Sequence, residues 1–260
     1  MILYYENALG QKINFMKRPY RAVEADIFDA DWEAHSDGYE KSIEIDVMDK
    51  KGNFFDNMNA LYDIIAVDAD NNTYGKLWCN GSYIRCYAKK KEATGWKGNV
   101  YAYVTLTFVA PELAWITEEK KTFLPGSGRG QEGGFDYPHD FPYNYSAIDA
   151  DIEWNIKNTA PCDFAMIIYG TCVDPEIIIN DHSYQVFTTL EANEYMIIDS
   201  RTQTITKHLE SGSDINVYND RSTMQSVFQK INPGRNIISW THAFGFDIIL
   251  YKSRKEPVWK

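Results

Sequence analysis

Residues 99–109 constrain the fold more than any other stretch of the chain. Val100, Ala102, Val104, Leu106 and Phe108 fall on one side of an extended backbone, and Tyr101, Tyr103, Thr105 and Thr107 fall on the other. That period of two is the signature of a strand, whose successive side chains point to opposite faces. The apolar side asks for a core. The Tyr/Thr side asks for a partly covered second face, either a subunit contact or a solvated surface. Pro111-Glu-Leu-Ala-Trp115 then breaks the run.

The same reasoning places the neighbouring elements. In Ser42–Met48, Ile43, Ile45 and Val47 alternate with Glu44 and Asp46, so a half-buried strand is expected. Phe54, Met58, Leu61 and Ile65 follow the 4-3-4 spacing of one helical stripe, which predicts a helix over 54–67 with Asn53 as its cap. The polar run 68–73 ends that helix. Strands are expected over 75–79 and 83–89, joined by a hairpin at Asn80-Gly81.

Residues 117–146 change character. Gly126, Gly128, Gly130, Gly133 and Gly134 crowd together and read as a flexible loop, followed by an aromatic–proline strap from Phe135 to Tyr145. Beyond it, short β runs recur at 148–156, 163–171, 176–179, 184–189, 194–199 and 204–207, with turns at Asn180-Asp181 and Ser211-Gly212-Ser213. Many short strands with polar turns predict an antiparallel β-sandwich. The end of the chain is the most legible part of this half. Ser222 and Gln225 have the spacing of a capping box, which predicts a short helix. Pro233-Gly234 predicts a type II turn over Asn232–Arg235, because proline presets φ at the second position and glycine accepts a positive φ at the third. Runs at 237–240 and 246–251 are the last strands. The organisation expected is therefore a domain over 1–116, a linker and strap over 117–146, and a β-sandwich over 147–260.

Charge and composition exclude several functions. The net charge of −11 lacks the basic face that grips phosphate backbones. No apolar run reaches the roughly 18 residues of a membrane span. The opening Met-Ile-Leu-Tyr-Tyr-Glu-Asn has neither the basic nor the apolar region of a secretory leader, so none is expected. Cys79, Cys86, Cys162 and Cys172 match no zinc ribbon or Cys-x-x-Cys motif and read as reduced, structural thiols of a cytosol-made protein.

No catalytic, metal-binding or cofactor-binding residues are assigned. Asp68-x-Asp70-x-Asn72 opens like a calcium loop but lacks the glycine at its sixth position and an acid at its twelfth, so it reads as a helix-ending turn. The acidic run Glu24, Asp26, Asp29 and Asp31, with Trp32, reads as a solvated or helix-start segment. The five histidines are scattered, His139-Asp140 in the strap among them, and form neither a metal pair nor a triad motif. Phosphate-loop, dinucleotide and nucleophile-elbow motifs are missing. Paired carboxylates for glycoside hydrolysis are not placed by sequence. Trp154 and Trp240, with Tyr143 and Tyr145, offer either a sugar-stacking platform or core packing, and core packing is the default.

The ordered set of these features resembles the distal tail proteins of long non-contractile-tailed phages and prophages. It is carried by Ser42–Met48, the helix from Phe54, the Asn80-Gly81 hairpin and the strand running into Pro111-Glu-Leu-Ala-Trp115. Asp136-Tyr-Pro-His-Asp-Phe-Pro-Tyr-Asn-Tyr145 and Val227-Phe-Gln-Lys-Ile-Asn-Pro-Gly-Arg-Asn236 complete it. The resemblance covers most of residues 35–254, with Leu113-Ala114 less typical. It implies a mainly β chain: an N-terminal belt domain, a tail-tube-like β-barrel or sandwich with one helix, and a C-terminal galectin-like antiparallel β-sandwich. It implies a structural protein of the virion tail tip, not an enzyme. Its copies would close a homo-hexameric ring that joins the tail-tube protein to the tail-tip protein, and in many phages to receptor-binding proteins. DNA would be a passing cargo only. The expected subunit contacts are the Tyr101, Tyr103, Thr105 and Thr107 face and the edge of Ser42–Met48 with Glu44 and Asp46. A carbohydrate-binding β-sandwich using Trp154 and Trp240 is the alternative.

Overall fold

The computed structural model describes residues 2–22, 32–36, 38–49, 51–126 and 152–258. The acidic run at 24–31, most of the glycine-rich loop and the aromatic strap with His139, Tyr143 and Tyr145 lie outside the described residues. The chain forms two compact units. Residues 1–117 and 253–260 make the first, and residues 118–252 make the second.

In the first unit, β1 (Leu3–Glu6) pairs antiparallel with β2 (Lys12–Asn14). It is followed by β3 (Tyr20–Ala22), β4 (Glu33–His35), β5 (Gly38–Met48), α1 (Phe54–Asn71), β6 (Gly75–Cys79), β7 (Ser82–Lys97) and β8 (Tyr101–Ala110). β1 also pairs with β6, and β6 with the first residues of β7. β7 then runs on and pairs with β8, which lies between β7 and β5. β3 and β4 take parts of the far edge of β5. The described strands do not close into a barrel.

Sequence and structure agree where periodicity is strong. Ile45 stands opposite Val104 and Ile43 opposite Leu106, and all four are fully buried. Phe54, Met58, Leu61 and Ile65 are the buried stripe of α1. Each such side chain contributes roughly 1.5–3 kcal/mol on leaving water. Asn80 and Gly81 take φ of 50° and 85°, both left-handed as a type I′ hairpin turn requires. The Asn80 amide accepts from the Ile2 N–H at 3.0 Å and donates to the Val258 carbonyl at 2.9 Å, so the turn holds both ends of this unit.

Three local expectations are corrected. Asn53 makes no side-chain cap bond, because its backbone is at φ −96°, ψ 19° rather than extended. α1 continues past residue 67, because its next turn carries Asp68 into the core rather than ending there, and Asn72 terminates it in the left-handed conformation. Val100 is 44% exposed: it sits in the tight turn before β8, so it never joins the buried face.

Asp68 explains the longer helix. It is fully buried, accepts from the Ala8 N–H at 3.0 Å and the Thr73 hydroxyl at 2.8 Å, and takes a short hydrogen bond from the Tyr5 hydroxyl. Burial raises the Tyr5 phenol well above its ordinary range. A Cβ at Gly75 would stand 2.5 Å from both the Asp68 carboxylate and the Tyr5 hydroxyl, so only glycine fits there.

β9 (Trp115–Phe123) carries the chain into the second unit. There follow β10 (Ile152–Ile156), β11 (Asp163–Tyr169), β12 (Cys172–Val173), β13 (Glu176–Ile179), β14 (His182–Gln185), β15 (Thr189–Leu190), β16 (Tyr195–Asp199), β17 (Thr204–His208), β18 (Asp214–Asn216), β19 (Gly234–Trp240) and β20 (Phe246–Arg254). One antiparallel sheet runs in the order β18, β17, β16, β11, β20, β9, and a four-stranded sheet runs β10, β19, β13, β14. A single core unites them: Phe164, Met166, Ile168, Met196, Ile198, Phe246, Ile248 and Leu250 from the first sheet cluster with Ile156, Ile177, Ile179 and Ile238 from the second. This is a β-sandwich.

Asn180 and Asp181 turn β13 into β14 with φ of 50° and 65°. Gly234 has φ 89°, as a type II turn after Pro233 demands. The buried Asn236 amide seals that turn by donating to the carbonyls of Asn232 and Gly234, both at 3.0 Å, and accepting from Asn180 at 2.7 Å. The short helix expected to open at Ser222 and to end at the Pro233-Gly234 turn is absent. The Ser222 N–H donates to the Gln185 carbonyl at 2.9 Å, and the Gln225 side chain accepts from the Ser183 N–H. The Ser222 N–H and the Gln225 side chain, one half of the expected capping box, are therefore spent on the neighbouring β14, while the Ser222 hydroxyl accepts from the Met224 N–H at 3.4 Å.

All four cysteines are free. Burial pushes the Cys79 and Cys172 thiols up to about 11 and raises Cys86 further, so they stay protonated and unreactive.

Candidate functional site

The six residues expected at a subunit contact share one face of the sheet formed by β5, β8 and β7. Thr107, Thr105, Tyr103 and Tyr101 alternate along β8 with the buried Phe108, Leu106, Val104 and Ala102. Ser42, Glu44 and Asp46 of β5 stand opposite Thr107, Thr105 and Tyr103, and Glu92 and Thr94 of β7 flank the same row. The Tyr101 hydroxyl donates to Asp46 Oδ1 at 2.9 Å, and the Ser42 and Thr107 hydroxyls lie 2.9 Å apart. The Tyr101 and Tyr103 rings meet edge to face at 5.0 Å. Tyr103 lies over Gly95, where a Cβ would come within 2.6 Å of the ring. Desolvation, followed by the hydrogen bonds with Tyr103 and Asp46, raises the Tyr101 phenol above its usual range. The result is a half-buried surface of hydroxyls and carboxylates.

The edge of Ser42–Met48 is partly occupied. β3 pairs with Ile45–Val47 and β4 with Gly38–Glu40, which leaves residues 41–44 between them. Sequence reading missed a third feature, the apolar end of this sheet. Phe55, Trp96 and Val100 are 53%, 51% and 44% exposed, and Met48, Lys97, Val100 and Tyr101 line a shallow hollow. The signal available was Trp96 beside Gly95 and Gly98, an aromatic residue where a hairpin turns.

Trp154 and Trp240 belong to the core of the second unit, each 6% exposed. Both rings pack edge-on against Phe123, at 6.1 Å and 5.8 Å, and the Trp240 indole donates to the Phe244 carbonyl at 3.0 Å. A sugar-stacking platform needs an open ring face, and neither indole has one. On the sheet of β11, β16 and β20 the buried carboxylate of Asp247 takes an ion pair from Lys120 at 2.7 Å and a hydrogen bond from Tyr169 at 2.5 Å. Burial alone would raise its pKa. Hydrogen bonds from Lys120, Thr122 and Tyr169 outweigh that and hold the carboxyl below its ordinary value.

Among the described residues no three His, Cys, Asp or Glu side chains are placed to hold a metal. Asp68 serves packing rather than calcium. His208 pairs with Asp214 at 2.6 Å and stacks on Tyr195, and His242 lies against Trp240. No described helix is long and apolar enough to cross a membrane.

No family model and no curated protein matches the sequence. The fold has solved counterparts. A chain from the phage P2 baseplate in its activated conformation with Ca matches with a TM-score of 0.63 at 12% identity, covering 98% of both chains. The SPP1 Dit protein, described as a paradigm of the hub adsorption apparatus in phages infecting Gram-positive bacteria, matches with a TM-score of 0.54 at 11% identity over 97% of this chain and 98% of that one. The chain therefore has the fold of these baseplate and hub proteins along essentially its whole length.

Proposed function

We propose that this chain is the distal tail, or hub, protein of a long-tailed phage or prophage. The observation that carries this reading is coverage. The likeness takes in both units and nearly all of each counterpart, rather than one widespread β-sandwich. Fold alone does not assign function, but a two-unit chain matched end to end narrows the choice far more than a single shared domain.

In this reading the first unit is a belt domain whose copies close a hexameric ring, and the second is a galectin-like sandwich available to other tail components. The ring joins the tail-tube protein to the tail-tip protein and, where present, to receptor-binding proteins. The role is structural rather than catalytic, and its place is the virion tail. A closed ring needs two different faces of one subunit to meet. The Tyr101, Tyr103, Thr105 and Thr107 face, with Glu44 and Asp46, remains a candidate either for that contact or for the surface past which DNA slides. The carboxylates of Glu44 and Asp46 would repel a phosphate backbone rather than hold it, with Lys97, over the Tyr101 ring, as the basic group beside them.

Light scattering on the purified chain, with negative-stain images of the same peak, tests the proposal. A closed ring of about six 30.0 kDa subunits supports it. A chain that stays monomeric at every concentration counts against it.

A further inference from the structure

The run Asp68-x-Asp70-x-Asn72, which opens like a calcium loop in the sequence, ends on a cavity. Asp68, Ala69, Asn72, Thr73, Tyr74 and Tyr87 line a hollow of about 200 Å³ at the C-terminal end of α1. The carbonyl end of a helix is the negative pole of its dipole, yet α1 carries no basic residue in its last turn. The N–H groups of Asn72 and Thr73 both return to the Asp68 carbonyl, so the carbonyls that follow it in the helix are left without helical donors. Behind the wall lies the fully buried Asp68 carboxylate. Its hydrogen bonds come from the Ala8 N–H, the Thr73 hydroxyl and the Tyr5 hydroxyl, all neutral groups, and no cation among the described residues pairs with it. Buried charges are ordinarily matched by an opposite one.

The rest of the wall is aromatic. Tyr74 is 39% exposed, and half-buried Tyr87 meets it edge to face at 5.8 Å. The face of such a ring attracts a cation through its quadrupole. Tyr74 already does so: the guanidinium of Arg85, which does not line the cavity, stands 5.5 Å from the ring centroid. Size narrows the ligand further. Pockets that enclose a whole small molecule run to about 300–1,000 Å³, so this hollow has room for one head group and its stem. Calcium does not suit it. That ion takes about 6–8 oxygens, carboxylates among them. Here the Asp68 carboxylate is sealed by its three donors, and no three acidic, His or Cys side chains among the described residues are placed to hold a metal.

We propose that this hollow is a binding site for an organic cation, the guanidinium or ammonium head group of an arginine or lysine side chain. The head group lies against the Tyr74 and Tyr87 rings and the carbonyl end of α1. The Asp68 charge attracts it through the wall without touching it, across protein rather than water, where a charge acts more strongly. All the lining residues belong to one subunit, so the site is complete without a ring.

The test titrates the full chain, isotope-labelled at its tyrosine rings, with N-acetylarginine amide, with its uncharged citrulline counterpart and with calcium ion, read by NMR. The resonances of Tyr74 and Tyr87, identified by their loss in Tyr74→Leu and Tyr87→Leu, should shift and saturate with the arginine compound alone. The rings of Tyr62 and Tyr101, already beneath Lys91 and Lys97, should not move. Each leucine variant, followed on the ring that remains, should weaken binding about threefold or more. Asp70→Lys, which gives the same helix end a cation of its own, should weaken it about fivefold or more. Melting curves of each variant separate lost binding from lost folding. A basic peptide that binds more tightly than the arginine compound places the cation on a partner protein, and equal affinity makes it a free small cation; either result supports the site. The site is overturned by shifts that do not saturate, by equal shifts with citrulline, by a response to calcium at these rings, or by wild-type affinity in the folded leucine or Asp70→Lys variants.

Discussion

Tyr101 and Tyr103 in the first unit and Trp154 and Trp240 in the second are all aromatic residues carried on strands, yet the two units use them in opposite ways. The tyrosines stand outward beside Thr105 and Thr107, with their hydroxyls and ring edges on a polar face. The tryptophans point inward and meet at Phe123. What separates them is parity. Trp154 shares its side of the strand with Ile152 and Ile156, and Trp240 shares its side with Ile238, whereas the two tyrosines share theirs with threonines. The side of the strand, not the kind of ring, decides whether an aromatic residue builds a core or faces a partner.

The hardest test of that contrast is Trp240→Ala. Removing a nearly buried indole leaves a void beside Phe123, Phe246 and His242 and frees the Phe244 carbonyl. The expected loss is about 3–5 kcal/mol. Calorimetry should show the transition of the second unit collapsing or moving sharply down. A small shift would mean the indole is not a core residue, and the platform reading would return.

Asp68→Ala tests the first unit at a lower magnitude. It strands the buried Tyr5 hydroxyl and removes the carboxylate partner of the part-buried Ala8 N–H and Thr73 hydroxyl. The expected cost is about 1–3 kcal/mol, read as a lower denaturant midpoint with an unchanged slope. An unchanged midpoint would show that water reaches these groups.

How much of this was legible in the sequence follows from what each residue answers to. Ile43, Ile45 and Val47, the α1 stripe and the Asn80-Gly81 hairpin are fixed by local period or by φ > 0, and they appear where the pattern puts them. All six outward residues of the β5 and β8 face were legible for the same reason. The Ser222 and Gln225 helix failed because Ser183 and Gln185, some forty residues away in the chain, compete for the same groups. β7 outran its expected end at residue 89 because its lysine-rich continuation carries no apolar alternation. Its partner β8 holds it extended, and only tertiary pairing reveals that continuation. The return of residues 253–260 to the first unit depends on Asn80 holding the Val258 carbonyl, a contact no periodicity encodes.

Asp247 extends the contrast to buried charge. Its folded carboxyl titrates below the ordinary aspartate value, while the unfolded chain titrates normally near 3.8. A depressed carboxyl contributes stability that is full above the unfolded pKa and is lost as pH falls through the folded one. The second unit should therefore weaken on the acid side of about pH 4, and Asp247→Asn should flatten that limb. Its melting temperature near neutral pH should fall at the same time, because the Lys120 charge loses its partner. An acid limb identical to wild type would show that Asp247 is not ion-paired in solution.

The smallest expected effect belongs to Tyr101→Phe, and it separates a packed face from a contact face. The hydroxyl hydrogen-bonds to Asp46 and to Tyr103, on a half-buried surface that water also reaches. Removing it should cost the isolated subunit only about 0.5–1.5 kcal/mol, because water can replace the lost partner on Asp46. The ring itself stays, still edge-on to Tyr103 and beneath Lys97. If this face only lines a solvated surface, assembly should be unchanged while the melting temperature drops by a few degrees at most. If the face meets a neighbouring subunit, the phenol becomes part of a desolvated contact, and the loss in assembly should exceed the loss in subunit stability. Measuring both quantities on one variant therefore decides between the two uses of the face. The parity rule by itself reaches only as far as saying that Tyr101 points outward.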